Sequence, residues 1–548
     1  MQRKIFLQFI WVIFVTVTAF AQSPPVDWQP GKFDKRTGEW LGGLSDSGAK
    51  RIQWAMPLGS VSYGTPVVAD GKVFIATNNG HGYLEKHPKN VDLGVLLAFD
   101  AESGKFLWQY SSPKLEDDKL DWPEQGICSN PAVDEKAKRL YIVTNRCEVV
   151  CLQTESETDE AVVVWRFDMM QELGVVPHNM TSCSPIIDDQ YVWTGTSNGV
   201  AANDRDVPNP NAPDFIVLDK ATGKLAMRFD LTRGNILDGQ WGSPAFYHDK
   251  YVLFPAGNGW LYGITPSQKK VVIRFDCNPK ETVWKGHGAG DRNTLLATPT
   301  VSDEMIYIAT GQDPESGDGP AVLWCLSTQK NDIFPLILEC LATDTAEFGV
   351  EISGAFFTKD IENSAFFTKD TDKYEGYDFS GMHIIMKEDS MIKDLDAPKR
   401  RYSAIDKSAG ETTTPNRLSM AVWSYHGRDP KSDEFEDRFH RTIGSVAVEN
   451  GVVLIGDTPG VVHCLDAKTG KLHWTHDVMG AIWGTPLGID GKFYLGTVEG
   501  DMVIFKAAPE KELLGTINMG APIYGKPVFN AQTKTLYIAT SRYLFAVR

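Results

Sequence analysis

Eight copies of one two-strand unit, a turn motif that recurs behind three of them, and an orphan strand ahead of the first copy together predict the fold class. It is all-β: an eight-bladed β-propeller of four-stranded antiparallel blades, closed by an N-terminal strand in the last blade. The unit is a Gly-x-Pro anchor followed by two alternating strands across a turn, as in GTPVVADGKVFIATNNG from Gly64. Its anchors fall at Pro66, Pro131, Pro185, Pro244, Pro299, Val446, Pro486 and Pro527, the last three 40 and 41 residues apart. That spacing suits one four-stranded sheet with short turns, and such sheets bury both faces only by standing against neighbours in a ring.

In chain order, the first segment is MQRKIFLQFIWVIFVTVTAFAQ, with a basic tip at Arg3 and Lys4, an apolar run, and a small-x-small site at Ala19 to Ala21. It reads as a signal peptide over residues 1–21, cut before Gln22. An uncleaved membrane anchor is the other reading, against which the run is short of the roughly twenty residues a span needs. Residues 22–50 form a lead segment, and 51–548 the propeller. RIQWAMPLG, Arg51 to Gly59, is an orphan strand with an outer-strand tryptophan, while the last repeat stops at Arg548 after three strands. Pairing the two completes the eighth blade and removes an open edge.

The turn motif reads AFDAESGKFLW at Ala98 to Trp108, VLDKATGKLAM at Val217 to Met227 and CLDAKTGKLHW at Cys464 to Trp474. The aspartate accepts turn amides, the glycine supplies a left-handed residue, and the tryptophan packs between blades. The motif builds blades and binds nothing. Within blade 5 the chain makes its largest excursion, an insertion over residues 331–419 between AVLWCLS and AVWSYHG, on the face opposite the funnel mouth. Inside it SGAFFTKDIE is followed directly by NSAFFTKDTD, which reads either as a duplication in a tolerant loop or as a partner-docking surface.

The long connections fall on one face, the funnel mouth, where a rigid scaffold carries function. The residue just before each Gly-x-Pro reads Tyr63, Cys128, Ser182, Trp241, Leu296, Ile443, Trp483 and Tyr524. The four aromatics, Tyr63, Trp241, Trp483 and Tyr524, either stack on a flat ligand or fill the tunnel. Asp313, Glu315 and Asp318, and Asp204 with Asp206, offer oxygens of the kind calcium takes, or are solvated turns. His81, His287 and Arg292 lie in glycine-rich loops as candidate acid, base or anion clamp.

Among eight cysteines, Cys151, Cys325 and Cys464 occupy the place of Ala98 and read as small core fillers. Cys128, Cys147 and Cys183 lie toward the funnel in two neighbouring blades. A disulfide among them, unpaired packing, and a metal or redox role helped by His178 are the three readings. Cys277 and Cys340 have no evident partner. The formal charge is -17, and -19 without Arg3 and Lys4, which excludes a nucleic acid partner.

On the repeat motif the chain resembles the pyrroloquinoline-quinone-like (PQQ-like) propeller family, whose members include quinoprotein alcohol dehydrogenases and the outer-membrane assembly lipoprotein. It is most similar to an exported bacterial subgroup of that family sharing DWPEQGICSNPAV, NRCEVVCL, FDCNPK and WGTPLGIDGKFYLG. The resemblance implies two outcomes. One is an exported, periplasmic or secreted, non-catalytic scaffold that binds an envelope protein, a polymer or a small molecule at the funnel face, not membrane-spanning once its signal is cut. The other is a PQQ and calcium dependent dehydrogenase of an alcohol or sugar. Departures weigh against the enzyme: no two cysteines are adjacent, there is no Cys-x-x-Cys-His for haem, and the calcium and base residues find no match. The assembly lipoprotein's acylated cysteine is absent too.

Overall fold

The structure is a computed structural model that describes residues 23–34, 39–41, 49–203, 205–286, 289–328 and 419–548, with Ser403 and the strand backbones 383–387, 390–391 and 411–415. The signal segment 1–21 and the tandem copy within 331–419 lie outside the described residues. So do Asp204, His287 and Cys340.

Blade 1 sets the rule. Its strands Val67–Ala69, Lys72–Asn78, Leu93–Asp100 and Phe106–Pro113 pair in chain order, each antiparallel to the next. Blades 2, 3, 4, 6 and 7 repeat it at residues 132–168, 186–229, 245–276, 447–477 and 487–518. The second and third strands of blade 1 are buried along almost their whole length, because a neighbouring blade covers each face. Blade 8 takes Val528–Asn530, Thr535–Ala539 and Tyr543–Val547 from the end of the chain and Ile52–Pro57 from its beginning. Ile52 faces Val547 and Pro57 faces Tyr543 in that closing pair, so the expected closure is what the structure has.

The turn motif docks one blade on the next. Asp100 accepts the Ser103 amide at 2.8 Å and its hydroxyl at 2.6 Å, which bends the chain so that Gly104 adopts φ 71°. The indole of Trp54, in the outer strand of blade 8, lies flat on that glycine: a Cβ there would meet its ring at 2.6 Å. Trp165 lies on Gly223 and Trp423 on Gly470 in the same way. Each indole N–H donates to a carbonyl of the turn it covers: Trp54 to Ala101 at 3.3 Å, Trp165 to Lys220 and Trp423 to Ala467 at 3.2 Å. Trp108 and Trp474 reach Thr154 and Ala508 likewise. Across the strand pair, the residue opposite the outer tryptophan is small: Ala98, Cys151, Cys325 and Cys464 face Trp108, Trp165, Trp423 and Trp474.

A second set of links runs round the axis at the middle residue of each Gly-x-Pro. The amide of Thr65 donates to Asn130 Oδ1 at 2.7 Å, Asn130 to Ser184 Oγ and Ser184 to Ser243 Oγ at 2.9 Å. Ser445 donates to Thr485 Oγ1 at 2.9 Å and Lys526 to Thr65 Oγ1 at 3.1 Å, which joins blade 8 to blade 1. Short side chains bearing oxygen at this column therefore satisfy an inner-strand amide that would otherwise face the tunnel.

The lead segment packs under blades 7 and 8. Trp28 is 2% exposed with its N–H on Met519 Sδ, Phe33 and Trp40 meet Phe545 edge-on at 6.4 Å, and Tyr494 Oη donates to the Pro24 carbonyl at 3.0 Å. One α-helix, Met169–Leu173, is present among the described residues, and no described helix is long and apolar enough to cross a membrane.

Blade 5 pairs Thr300–Ser302, Met305–Ala309 and Leu323–Ser327 with Ala421–Tyr425, so its third and fourth strands are neighbours although the insertion separates them in sequence. The described part of the insertion contributes a three-stranded antiparallel sheet, Ser390–Met391, His383–Lys387 and Glu411–Pro415. Its expected confinement to the face opposite the funnel needs correction. Ser403 bridges to Val283 in the connection from blade 4 to blade 5, on the funnel side. Both ends of the excursion are nevertheless fixed by the blade: the Ser327 amide donates to the Met420 carbonyl at 3.0 Å. Replacing residues 331–419 by a short turn is therefore expected to leave one cooperative melt, shifted by only a few degrees. Loss of cooperativity or of solubility in that variant would place the insertion within the core.

Candidate functional site

Six segments on the funnel side, the turn of blade 3 at Ala202 among them, line a cavity of about 260 Å³. Lys119 and Trp122 come from the connection between blades 1 and 2, and His178 and Asn179 from that between blades 2 and 3. Asp238 and Trp284 come from the next two connections, and Asp313 and Glu315 from the turn inside blade 5. Backbone bonds fix the first two loops to each other: the Trp122 amide donates to Asn179 O at 3.0 Å and the Asn179 amide to Lys119 O at 3.1 Å. Asn179 is held at φ 61°, a conformation asparagine tolerates better than most residues.

His178 is buried, with Nε2 at 3.1 Å from Asp238 Oδ1 and Nδ1 at 3.0 Å from the Val200 carbonyl. Both ring nitrogens thus face acceptors, and only the doubly protonated ring can donate to both. Trp241 covers this pair, its ring centroid 5.8 Å from that of His178 and its N–H shared between the His178 and Met180 carbonyls. Asp313 caps the turn Pro314–Ser316 by accepting the Glu315 amide at 2.7 Å. Burial, reinforced by Asp238 and Glu315, pushes its carboxyl up to about 6, against the opposing pull of that amide and of His178. The turn is anchored from behind by Arg441, which is 1% exposed and donates to Ser316 O at 2.6 Å, Gly290 O at 2.7 Å and Asn293 Oδ1 at 2.9 Å. Gly319 leaves the room for it: a Cβ there would sit 2.3 Å from the guanidinium carbon.

Three of the four expected aromatics meet, but as a plug. Tyr63, Trp483 and Tyr524 pack on one another with centroids 4.9 to 6.2 Å apart, and Tyr63 Oη donates to Gln125 Oε1 at 2.7 Å. Trp241 stands apart, over His178. The rings contact each other rather than leave a slot, so the four do not fit a flat quinone. Calcium fares no better at Asp313, Glu315 and Asp318. The first two face the cavity while Asp318 lies in the field of Arg441, and among the described residues no three His, Cys, Asp or Glu side chains are grouped to hold a metal. Asp206 closes a small exposed turn with Asn203.

Arg292, expected as an anion clamp, is spent on structure: buried, it donates to both oxygens of Asp276 at 3.1 Å, with Lys280 on the same carboxylate at 2.9 Å. His81 lies against Tyr83 and outside the cavity.

The expected disulfide is not formed, and all seven described cysteines are free and buried. Cys147 Sγ donates to Thr196 O at 3.2 Å, Cys183 Sγ accepts from the Gly195 amide at 3.1 Å, and Cys128 Sγ reaches Gly126 O at 3.9 Å. Burial pushes the thiols of Cys128 and Cys147 up to about 12 and that of Cys183 to about 11, which keeps them protonated and unreactive.

Residues 401–509 match the family model described as outer membrane protein assembly factor BamB, a PQQ-like repeat model. The resemblance to PQQ-like propeller repeats is borne out over that stretch. No curated protein matches the chain in sequence. Among solved structures, BamB from Moraxella catarrhalis is similar at 11% identity and a TM-score of 0.48, over 90% of this chain and 95% of that one. A computationally designed protein, Ika8, is similar at 8% identity and a TM-score of 0.47, over 91% of this chain and 100% of that one.

The raised carboxyl of Asp313 has a measurable sign. Its folded pKa exceeds the unfolded value of about 4, so the native state holds this proton more tightly and loses stability as pH rises from about 4 to about 6. Asp313→Asn keeps the cap and removes the charge. It is expected to stabilise the protein at pH 7.5, by on the order of 1–2 kcal/mol relative to the parent, and to leave stability unchanged at pH 4. Thermal melts of both proteins at the two pH values test this, and equal melts at pH 7.5 would show that the carboxylate is under no strain.

Proposed function

We propose that this chain is a non-catalytic binding propeller of the cell envelope, exported to the periplasm or secreted, that engages a protein, polymer or small molecule through its funnel face. The observation that carries the reading is the contrast between the two parts of the funnel. The axis, where a quinoprotein would need an open slot, is filled by Tyr63, Trp483 and Tyr524. The mouth holds a cavity lined by side chains from several separate loops. The match of residues 401–509 to the BamB family model supports a role of the same general kind. Export rests on the basic-apolar-small order of residues 1–21.

A photo-crosslinking residue placed at Trp122, at the mouth, is expected to capture a macromolecular partner in intact cells, and one at Asp134, on the opposite face, to capture none. Reconstitution of the purified protein with PQQ and calcium is expected to give no quinone absorbance and no dye-linked turnover of alcohols or sugars. Turnover there would replace this reading with the PQQ and calcium dependent dehydrogenase.

A further inference from the structure

Three cavities stand out among the described residues, and their walls differ. The largest, about 1450 Å³, opens at the axis on the far face, where ends of inner strands such as Val67, Val133 and Val301 surround a wide mouth. Its rim charges are partly paired, Lys220 with Asp134 at 2.8 Å, and nothing there selects one occupant. A second, of about 390 Å³, lies between the loops of blades 4 and 5 near Glu281 and Arg438. The funnel-mouth cavity alone of the three combines indole walls with carboxylates that have no counter-ion bonded to them.

We infer that the funnel-mouth cavity binds a small organic ammonium ion, held between the carboxylates of Asp313 and Glu315 with the rings of Trp122 and Trp284 as walls. The inference deepens the reading of the funnel mouth as the binding face and rests on it. Asp238 is already engaged by His178. Asp313 uses one oxygen on the Glu315 amide, and its second oxygen and both those of Glu315 have no hydrogen-bond partner among the described residues. Of the residues lining the space, Lys119, at the exposed rim, and His178 are the basic ones. A cation in this space therefore meets two carboxylates and two indoles among the lining residues, the two kinds of group that hold ammonium ions in aromatic cages.

A neutral sugar would also lie against indoles, but it would leave the crowded carboxylates uncompensated. Burial raises the Asp313 carboxyl, the charges of Asp238 and Glu315 raise it further, and a bound positive charge opposes both effects. An anion would meet Asp238, Asp313 and Glu315 together, in a protein of formal charge -17.

Calorimetric titration of the full mature chain tests this with choline chloride as the probe, at ionic strength matched by sodium chloride. Saturable 1:1 binding of choline is expected at pH 7.5. Asp313→Asn and Glu315→Gln should each weaken it about tenfold. Lowering the pH to 5 should weaken it by a similar factor, since Asp313 then carries a proton while facing Asp238, Glu315, His178 and Lys119. Both variants change a turn on the surface of the ring, and unchanged melting cooperativity certifies their fold.

Saturable binding of D-glucose with none of choline would overturn the assignment, as would choline binding that is indifferent to both substitutions and to pH. The absence of any binding would overturn it too. If choline fails while the residue-122 crosslink still captures a partner, the ligand class falls and the binding face stands. If choline binds and the crosslink captures nothing, the macromolecular reading falls instead.

Discussion

A blade of this propeller has no core of its own, and at five of the eight junctions an indole of the outer strand reaches the turn of the next blade. The arrangement has two parts that depend on each other. The aspartate-bent turn places a glycine at its apex, and the outer tryptophan of the preceding blade covers that glycine and donates to a carbonyl beside it. Removing the Cβ admits the ring, and the ring shields the turn's backbone from water. Each such contact buries a large apolar surface while leaving the indole N–H paired, which is the condition for a buried tryptophan to stabilise rather than strain a core. The column of alanine and cysteine opposite the tryptophan follows from the same requirement, because a bulkier side chain across the pair would push the ring off its seat. Cysteine serves there as a small hydrophobe.

A frame fixed this firmly tolerates unfavourable groups in its loops. Asp214 is buried with Thr232 and Gln240 donating to it, and even so its carboxyl is pushed up to about 6. Asp313 stands in the same condition without an equal set of donors. Such groups reduce stability at neutral pH, and they persist where position matters more than energy. Arg441 gives the reason the turn beneath Asp313 can hold its shape: one buried guanidinium satisfies carbonyls from two separate loops at once.

The architecture was legible because its signals are local and repeated. Anchors at fixed intervals, the Asp-x-x-Ser/Thr-Gly turn and the unpaired RIQWAMPLG can be found without knowing what touches what. The middle residue of Gly-x-Pro carries an equally local signal. It reads Thr, Asn, Ser, Ser, Thr, Ser, Thr and Lys, a nearly unbroken column of side-chain oxygens whose meaning lies in the axial links. The site was much less legible. Tyr63, Trp483 and Tyr524 were placed on the axis by register, but whether rings gather into a slot or a plug depends on distances that register does not contain. His178 with Asp238, and Arg441 with Ser316 and Gly290, join segments 60 to about 150 residues apart, and no spacing pattern announces them. The register of Cys151, Cys325 and Cys464 is visible in the repeat, each facing an outer-strand tryptophan. Cys128, Cys147 and Cys183 are each satisfied separately, by Gly126, Thr196 and Gly195, which strand register does not reveal.

The closing pair of blade 8 also governs the order in which the molecule can form. Ile52 must wait for Val547, a partner nearly five hundred residues downstream, so the ring stays open until almost the whole chain is present. Until then the strand Ile52–Pro57 presents an unpaired edge. Seven blades can stack progressively by neighbour contacts, but the last step is a single long-range closure whose entropy grows only slowly with loop length. The hazard is one of time rather than of energy: two half-made rings meeting during that interval can exchange their first strands and close as a swapped pair.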